Sequence, residues 1–249
     1  MTDTVVEVDD AWWREFNFRG FNLAEKGGPA LDDARLAESR TVLSGILDAV
    51  QGRAQVLYAR GFNLMAASEW ELEQRSTMFG RAISHDRRSD AELLREAVSV
   101  ASRSDVIVAA LGEPSEMSGE SSFRTELGIP RVQQNLLEAL VKTGKPVVLL
   151  LFNGRPLTLD WEVANVSAIL DVWFGSSETG DAVADVLFGD VNPSGKFTMT
   201  FPKNVGQIPL YRPSTPERGV APEIPLQLSG RGQRPFVPLW IVIYPFRLW

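Results

Sequence analysis

The chain has 249 residues, enough for one large domain, and its 44 % hydrophobic content argues against wholesale disorder. A formal charge of −7 excludes the concentrated basic face that nucleic acid requires, and the lack of cysteine excludes disulfides and thiolate chemistry. Apolar runs such as Val147 to Phe152 are too short to cross a bilayer, and the first ten residues carry no basic segment before an apolar core. The expectation is a soluble, cytoplasmic chain with neither nucleic acid nor membrane as partner.

Residues 1–40 show no clear period and read as an irregular N-terminal extension, with Trp12, Trp13, Phe16, Phe18 and Phe21 scattered among charges. From Thr41 to Val50 the spacing of Val42, Leu43, Ile46, Leu47 and Val50 predicts one helical face. Gln55 to Gly61 reads as a short strand. Ser89 opens a helix with a Ser-x-x-Glu capping box to Glu92, and Leu93, Leu94, Ala97, Val98 and Ala101 form its apolar face. A buried strand follows at Asp105 to Leu111. Pro130 suits the first turn of the next helix, Leu136, Leu137, Leu140 and Val141 give its stripe, and Gly144 fits its end. Pro146 to Phe152 is a continuous apolar run, as a strand covered on both faces should be. Ala168 to Phe174 is a further strand, and Thr179 to Phe188 a helix with Ala182, Val183, Val186 and Leu187 inward. Asp190 to Gly195 is a tight turn, and Phe197 to Phe201 a last strand. This alternation predicts an α/β fold over residues 41–211, a mostly parallel sheet with helices on both faces. Prolines then dominate residues 212–249, an irregular tail whose sharply apolar end would be β-prone if exposed.

The stretch from Gly112 to Pro130 joins an apolar strand to a helix and is rich in Glu, Ser and Gly. Open α/β sheets place binding and catalytic groups in such loops. Glu120 sits there among Ser118, Gly119, Ser121 and Ser122, with Arg124 four positions on. Its carboxyl is suited to general acid or base work, although a solvated surface loop gives the same local composition. The segment Gly175 to Gly180 lacks the Lys of a phosphate-binding loop and reads as a strand-to-helix connection. In a doubly wound sheet it would share an edge with the Glu120 loop, so that Ser176, Ser177, Glu178 and Asp181 would line a common cleft. Trp70 and Trp173 are candidates for stacking on the face of a ligand, with core packing the stronger reading for Trp173.

His85 is the only histidine, in a polar stretch, and no Gly-x-Ser-x-Gly elbow accompanies it; a solvated His fits better than a Ser/His/Asp triad. Asp190-x-Asn192-x-Ser194-Gly195 starts like a calcium loop, but Pro193 intrudes and Phe201 stands where a bidentate Glu belongs. No metal and no cofactor is expected.

Several stretches, taken in order, resemble the second domain of glycoside hydrolase family 3, of the bacterial periplasmic β-glucosidase type. They are Gln55-Val-Leu-Tyr-Ala-Arg-Gly, Asp105-Val-Ile-Val-Ala, Gly119-Glu-Ser-Ser-Phe-Arg-Thr-Glu-Leu-Gly-Ile-Pro, Gly144-Lys-Pro-Val-Val-Leu-Leu-Leu-Phe-Asn-Gly-Arg-Pro-Leu, Asp185-Val-Leu-Phe-Gly-Asp-Val-Asn-Pro-Ser-Gly-Lys and Phe201-Pro-Lys-Asn-Val-Gly-Gln-Ile-Pro. The resemblance implies an α/β sandwich whose Ser/Ala-rich loop carries the general acid/base, which by position is Glu120. Arg124 matches the family's Arg, and Glu126 stands where an Asp is usual, which makes both candidates for substrate binding. The family's barrel, with its nucleophilic Asp and most of the sugar pocket, is absent from these residues. The Tyr-Pro-Phe-Gly-Tyr-Gly motif that leads into a fibronectin-like domain survives at most as an echo at Tyr244.

The expectation is therefore a hydrolase domain of β-glucosidase type, with a β-glucoside or other small ligand as its partner. Retaining hydrolysis needs two carboxyls about 5–5.5 Å apart, and this chain holds one of that pair. Two rival readings stay open. One is hydrolysis of a small ester or lactone, with Glu120 or Asp181 as general base. The other is a non-catalytic carbohydrate-binding or assembly module. An apolar face left bare by the missing barrel would favour a homodimer.

Overall fold

A computed structural model describes residues 40–63, 86–113, 117–118, 123–175, 178–195 and 199–208. Within them the order is α1 (Val42–Val50), α2 (Asp90–Ser102), β1 (Ile107–Gly112), α3 (Arg131–Val141), β2 (Val147–Phe152), α4 (Asp160–Asn165), β3 (Ala168–Asp171) and α5 (Thr179–Phe188), with a 3-10 turn at Val205–Gln207. The three strands form a parallel sheet in the order β1-β2-β3, with Ile107 opposite Val147 and Val148 opposite Ala168. The α/β expectation therefore holds.

Each element follows from its sequence. In α2 the Ser89 side chain accepts from the Glu92 N–H while Glu92 accepts from the Ser89 N–H, a complete capping box that satisfies two otherwise unpaired donors. Leu93, Ala97 and Ala101 are buried along its inward face. The six residues of β2 are all buried, so the central strand is covered on both sides and its unbroken apolar run has no need to alternate. Pro130 occupies the cap of α3, one residue ahead of the first turn, where its missing N–H costs nothing. Leu136, Leu137 and Leu140 are buried, α3 packs on α2 and β1, and α1 packs on α5.

Four details differ from the sequence reading. Among the described residues Gln55 to Gly61 joins no strand ladder, and the segment ends at Gly61, whose φ of +78 is left-handed and where a Cβ would lie 2.7 Å from a Leu136 methyl. β3 stops at Asp171 instead of running to Phe174, because Trp173 turns left-handed at φ 56. The short α4 follows β2 where no helix was expected. In α5 it is Ala184, not Ala182, that is buried beside Val183. The reason is the close crossing of α1 and α5, where a Cβ on Gly45 would collide with the Gly180 carbonyl and one on Gly180 with the Thr41 carbonyl. That contact rolls α5 toward its Gly180–Ala184 side.

The end of the α/β unit is described in part. Residues 199–201 of the expected last strand carry no strand assignment, and residues 196–198 lie outside the described residues. Phe201 is buried and meets the Trp173 ring edge-on, with centroids 6.0 Å apart. That contact favours core packing as the role of Trp173. The N-terminal extension and the Pro-rich tail lie outside the described residues, apart from Arg40.

Candidate functional site

Parallel strands all end on one side of a sheet, and open α/β folds bind ligands beyond those carboxyl ends. Here the ends are Gly112, Phe152 and Asp171, and the residues at or just past them are polar: Glu113, Asn153, Arg155 and Asp171. Backbone bonds hold them in register, since the Glu113 N–H donates to the Phe152 carbonyl at 2.8 Å and the Val172 N–H to the Leu151 carbonyl at 2.8 Å. Gln133 on α3 reinforces the first of these ends. It is fully buried and its amide accepts from the Gly112 N–H at 2.7 Å and donates to the Gly112 carbonyl at 2.8 Å.

Glu113 is the centre of the edge. Its side chain is 0 % exposed, and a carboxylate removed from water survives only when it is paired and hydrogen-bonded. Arg124 Nη1 meets its Oε1 at 2.6 Å, Arg155 Nε lies 3.4 Å from the same oxygen, and the Gly154 N–H reaches Oε2 at 3.4 Å. Both guanidiniums continue onto backbone. Arg124 Nη2 donates to the Gly128 carbonyl at 3.1 Å, and Arg155 Nη2 donates to the Met117 carbonyl. The loop from Gly112 to Pro130 is thereby tied to the sheet edge at Met117 on one arm and at Arg124 and Gly128 on the other.

Beside this cluster, Asp171 has both carboxylate oxygens buried without a well-formed hydrogen bond among the described residues. Burial pushes it up to about 7, and the Trp173 backbone and the Asn153 side chain pull it only part of the way back. Asn153 is itself fully buried and donates to the Arg155 carbonyl at 2.9 Å. The connection after β3 closes on the same place, since Ser118 and the Phe174 ring both crowd Gly154 so tightly that a Cβ there would strike them. Ser118, from the Gly112–Pro130 loop, and Phe174, just ahead of the Gly175–Gly180 connection, thus both come close to Gly154.

Of the candidates singled out from sequence, Arg124 stands at this edge, paired as described. Glu126 is exposed two residues further along. Glu178 is exposed at the start of α5 and makes no side-chain capping bond there. The Asp181 carboxylate is held by Arg40, whose Nε donates to both of its oxygens at 3.1 Å. Glu120, Ser176, Ser177, His85 and Trp70 lie outside the described residues. Glu113, Gln133, Asn153, Arg155 and Asp171 were not singled out from sequence. Four of these share one signal, a polar residue ending or following an apolar strand run, and Gln133 carries none beyond its place near the start of α3.

Residues 23–246 match the model of the glycosyl hydrolase family 3 C-terminal domain. A periplasmic β-glucosidase of Salmonella typhimurium is 45 % identical over 188 residues, 73 % of this chain and 24 % of the relative. A β-xylosidase of Formosa agariphila is 49 % identical over 115 residues, 46 % of this chain and 16 % of the relative. Among solved structures, a β-glucosidase of Erythrobacter marinus superposes with a TM-score of 0.58 at 32 % identity, covering 70 % of this chain and 24 % of that one. A β-glucosidase of Listeria innocua, solved with gluconolactone, gives 0.56 at 28 % identity over 85 % of this chain and 26 % of that one. The 249 residues therefore span about a quarter of these β-glucosidases.

Proposed function

Since the chain belongs to glycosyl hydrolase family 3 as its C-terminal domain, we propose that it supplies the general acid/base of a retaining β-glycosidase, and that this group is Glu120. The reaction divides between two carboxyls. Glu120 gives a proton to the glycosidic oxygen as the leaving group departs, while a second carboxylate attacks the anomeric carbon and forms a glycosyl ester. Glu120 then takes a proton from the water that hydrolyses the ester. The resemblance assigns that second carboxylate to the family's barrel, which these residues do not include. The substrate class we assign is a β-glucoside or a closely related sugar. The Listeria innocua β-glucosidase was solved with glucose and with isofagomine, and both are ligands of that protein.

The observation that carries this reading is the anchoring of the Glu120 loop at the carboxyl edge of the sheet through Arg155 on Met117 and Glu113 on Arg124. An acid/base must be held where the glycosidic oxygen will lie, and a loop fixed at both arms suits that need. The ester or lactone reading is less favoured at Asp181, whose carboxylate pairs with Arg40. The test is hydrolysis of aryl β-glucosides, aryl esters and small lactones by the 249-residue chain and its Glu120→Gln variant. We expect no ester or lactone turnover above background, and any glucoside turnover to vanish in the variant. Ester or lactone cleavage lost in Glu120→Gln would overturn the proposal in favour of a different hydrolase.

A further inference from the structure

We infer that Glu113 is a positioning residue for the acid/base: its buried carboxylate clamps Arg124 and Arg155, and through them fixes the chain on both sides of Glu120. The inference rests on the reading of Glu120 given above.

The argument begins with cost. A carboxylate with no exposed surface is expensive unless its partners are in place, so a buried Glu one residue past β1 is there for those partners. Its partners are two guanidiniums from separate segments of the chain, Arg124 from the far arm of the same loop and Arg155 from the segment after β2. Neither ends on the carboxylate. Arg124 goes on to the Gly128 carbonyl at 3.1 Å and Arg155 to the Met117 carbonyl, so the ion cluster is bolted to loop backbone on both sides. Gln133 holds Gly112, where the loop leaves β1, by bonding both of its backbone groups. Glu120 stands three residues after Met117 and four before Arg124. At the full reach of a peptide chain these separations are roughly 10 and 14 Å, so two fixed points bound where the carboxyl can go.

The same cluster sets the local charge. Guanidiniums near a carboxyl favour its ionised form, whereas a glycosidase acid must keep its proton until the leaving group takes it. Glu113 is the counter-charge that stops Arg124 and Arg155 from acting as two bare cations beside the loop.

The experiment uses the full 249-residue chain and needs no turnover. Hydrogen exchange is followed in peptides covering residues 114–118, 123–128 and 147–152 for the parent, Glu113→Gln, Arg124→Lys and Arg155→Lys. In parallel, the carbon signal of the Glu120 carboxyl, identified by its loss in Glu120→Gln, is titrated in Glu-labelled protein. Glu113→Gln should speed exchange at least tenfold in both loop peptides and leave 147–152 little changed, and it should lower the Glu120 midpoint by half a pH unit or more. Arg155→Lys should loosen the 114–118 arm alone and Arg124→Lys the 123–128 arm alone. Unchanged loop exchange with an unmoved Glu120 titration overturns the inference, as does a uniform rise that includes 147–152. Should Glu113→Gln fail to fold, the arm-by-arm split between the two Lys variants decides. A Glu120 that proves dispensable for hydrolysis would sink the functional reading while leaving these readouts as they stand.

Discussion

Replacing Asp171 by Asn should stabilise the chain, by an amount set by pH. The carboxyl ordinarily titrates near 3.8, and burial lifts it to about 7 in the folded state. The folded chain therefore binds this proton more tightly than the unfolded chain does. At pH values below about 3.8 the group is protonated in both states and costs nothing. As pH rises from there to about 7, the unfolded chain releases the proton and the folded chain keeps it, so this group makes stability fall. Above that the penalty is complete, and at about 1.4 kcal/mol for each tenfold change it reaches about 4 kcal/mol. Asn keeps the shape and removes the charge. Urea unfolding of parent and Asp171→Asn should thus differ by less than about 1 kcal/mol at acid pH near 4 and by about 2–4 kcal/mol near pH 8, with Asn the more stable. An equal difference at both values, or a parent more stable at the higher one, would refute the argument that the Asp171 carboxylate is buried without adequate partners.

Two further substitutions, and a third as a control, probe the frame that carries the site. Gly45→Ala forces a methyl into the Gly180 carbonyl and should cost about 1–3 kcal/mol by urea unfolding, whereas Gly195→Ala, with open space around it, should change stability by less than about 0.5 kcal/mol. Gln133→Leu leaves the Gly112 N–H and carbonyl buried without their amide partner and should cost about 2–4 kcal/mol in the same assay, with the denaturant slope unchanged.

What the sequence made legible was local. Ser89 and Glu92 define the start of α2 by themselves, and the apolar run at Val147–Phe152 needs only its length and its flanks to be read as a covered strand. The loop at Gly112–Pro130 was legible for the same reason, as a polar break between an apolar strand and a periodic helix. What escaped depends on partners distant along the chain. Glu113 looks like one more acid in an acidic loop until Arg155, 42 positions later, is folded onto it. Gln133 looks like a surface residue of an amphipathic helix, yet it is fully buried because the end of β1 offers its amide two backbone partners. Ala182 fits an apolar stripe by spacing, but the near-contact of two glycine backbones rotates α5 and buries Ala184 instead. Arg124 was singled out as a substrate-binding candidate on its match to the family's Arg, and its contacts are internal to the fold. It stands at the site edge, but its guanidinium is spent on Glu113 and the Gly128 carbonyl.

The central claim is that Glu120 is the acid/base, and the most direct test supplies the missing second carboxylate. The 188 residues aligned with the Salmonella typhimurium β-glucosidase would replace their counterpart in that protein, and kcat/KM would be measured on aryl β-glucosides with good and poor leaving groups. In the chimera, Glu120→Gln should lower kcat/KM by about 10²–10⁴ on the poor leaving group and much less on the good one, with azide restoring turnover as the glucosyl azide. A Glu120→Gln chimera that matches its parent on both substrates would contradict the account.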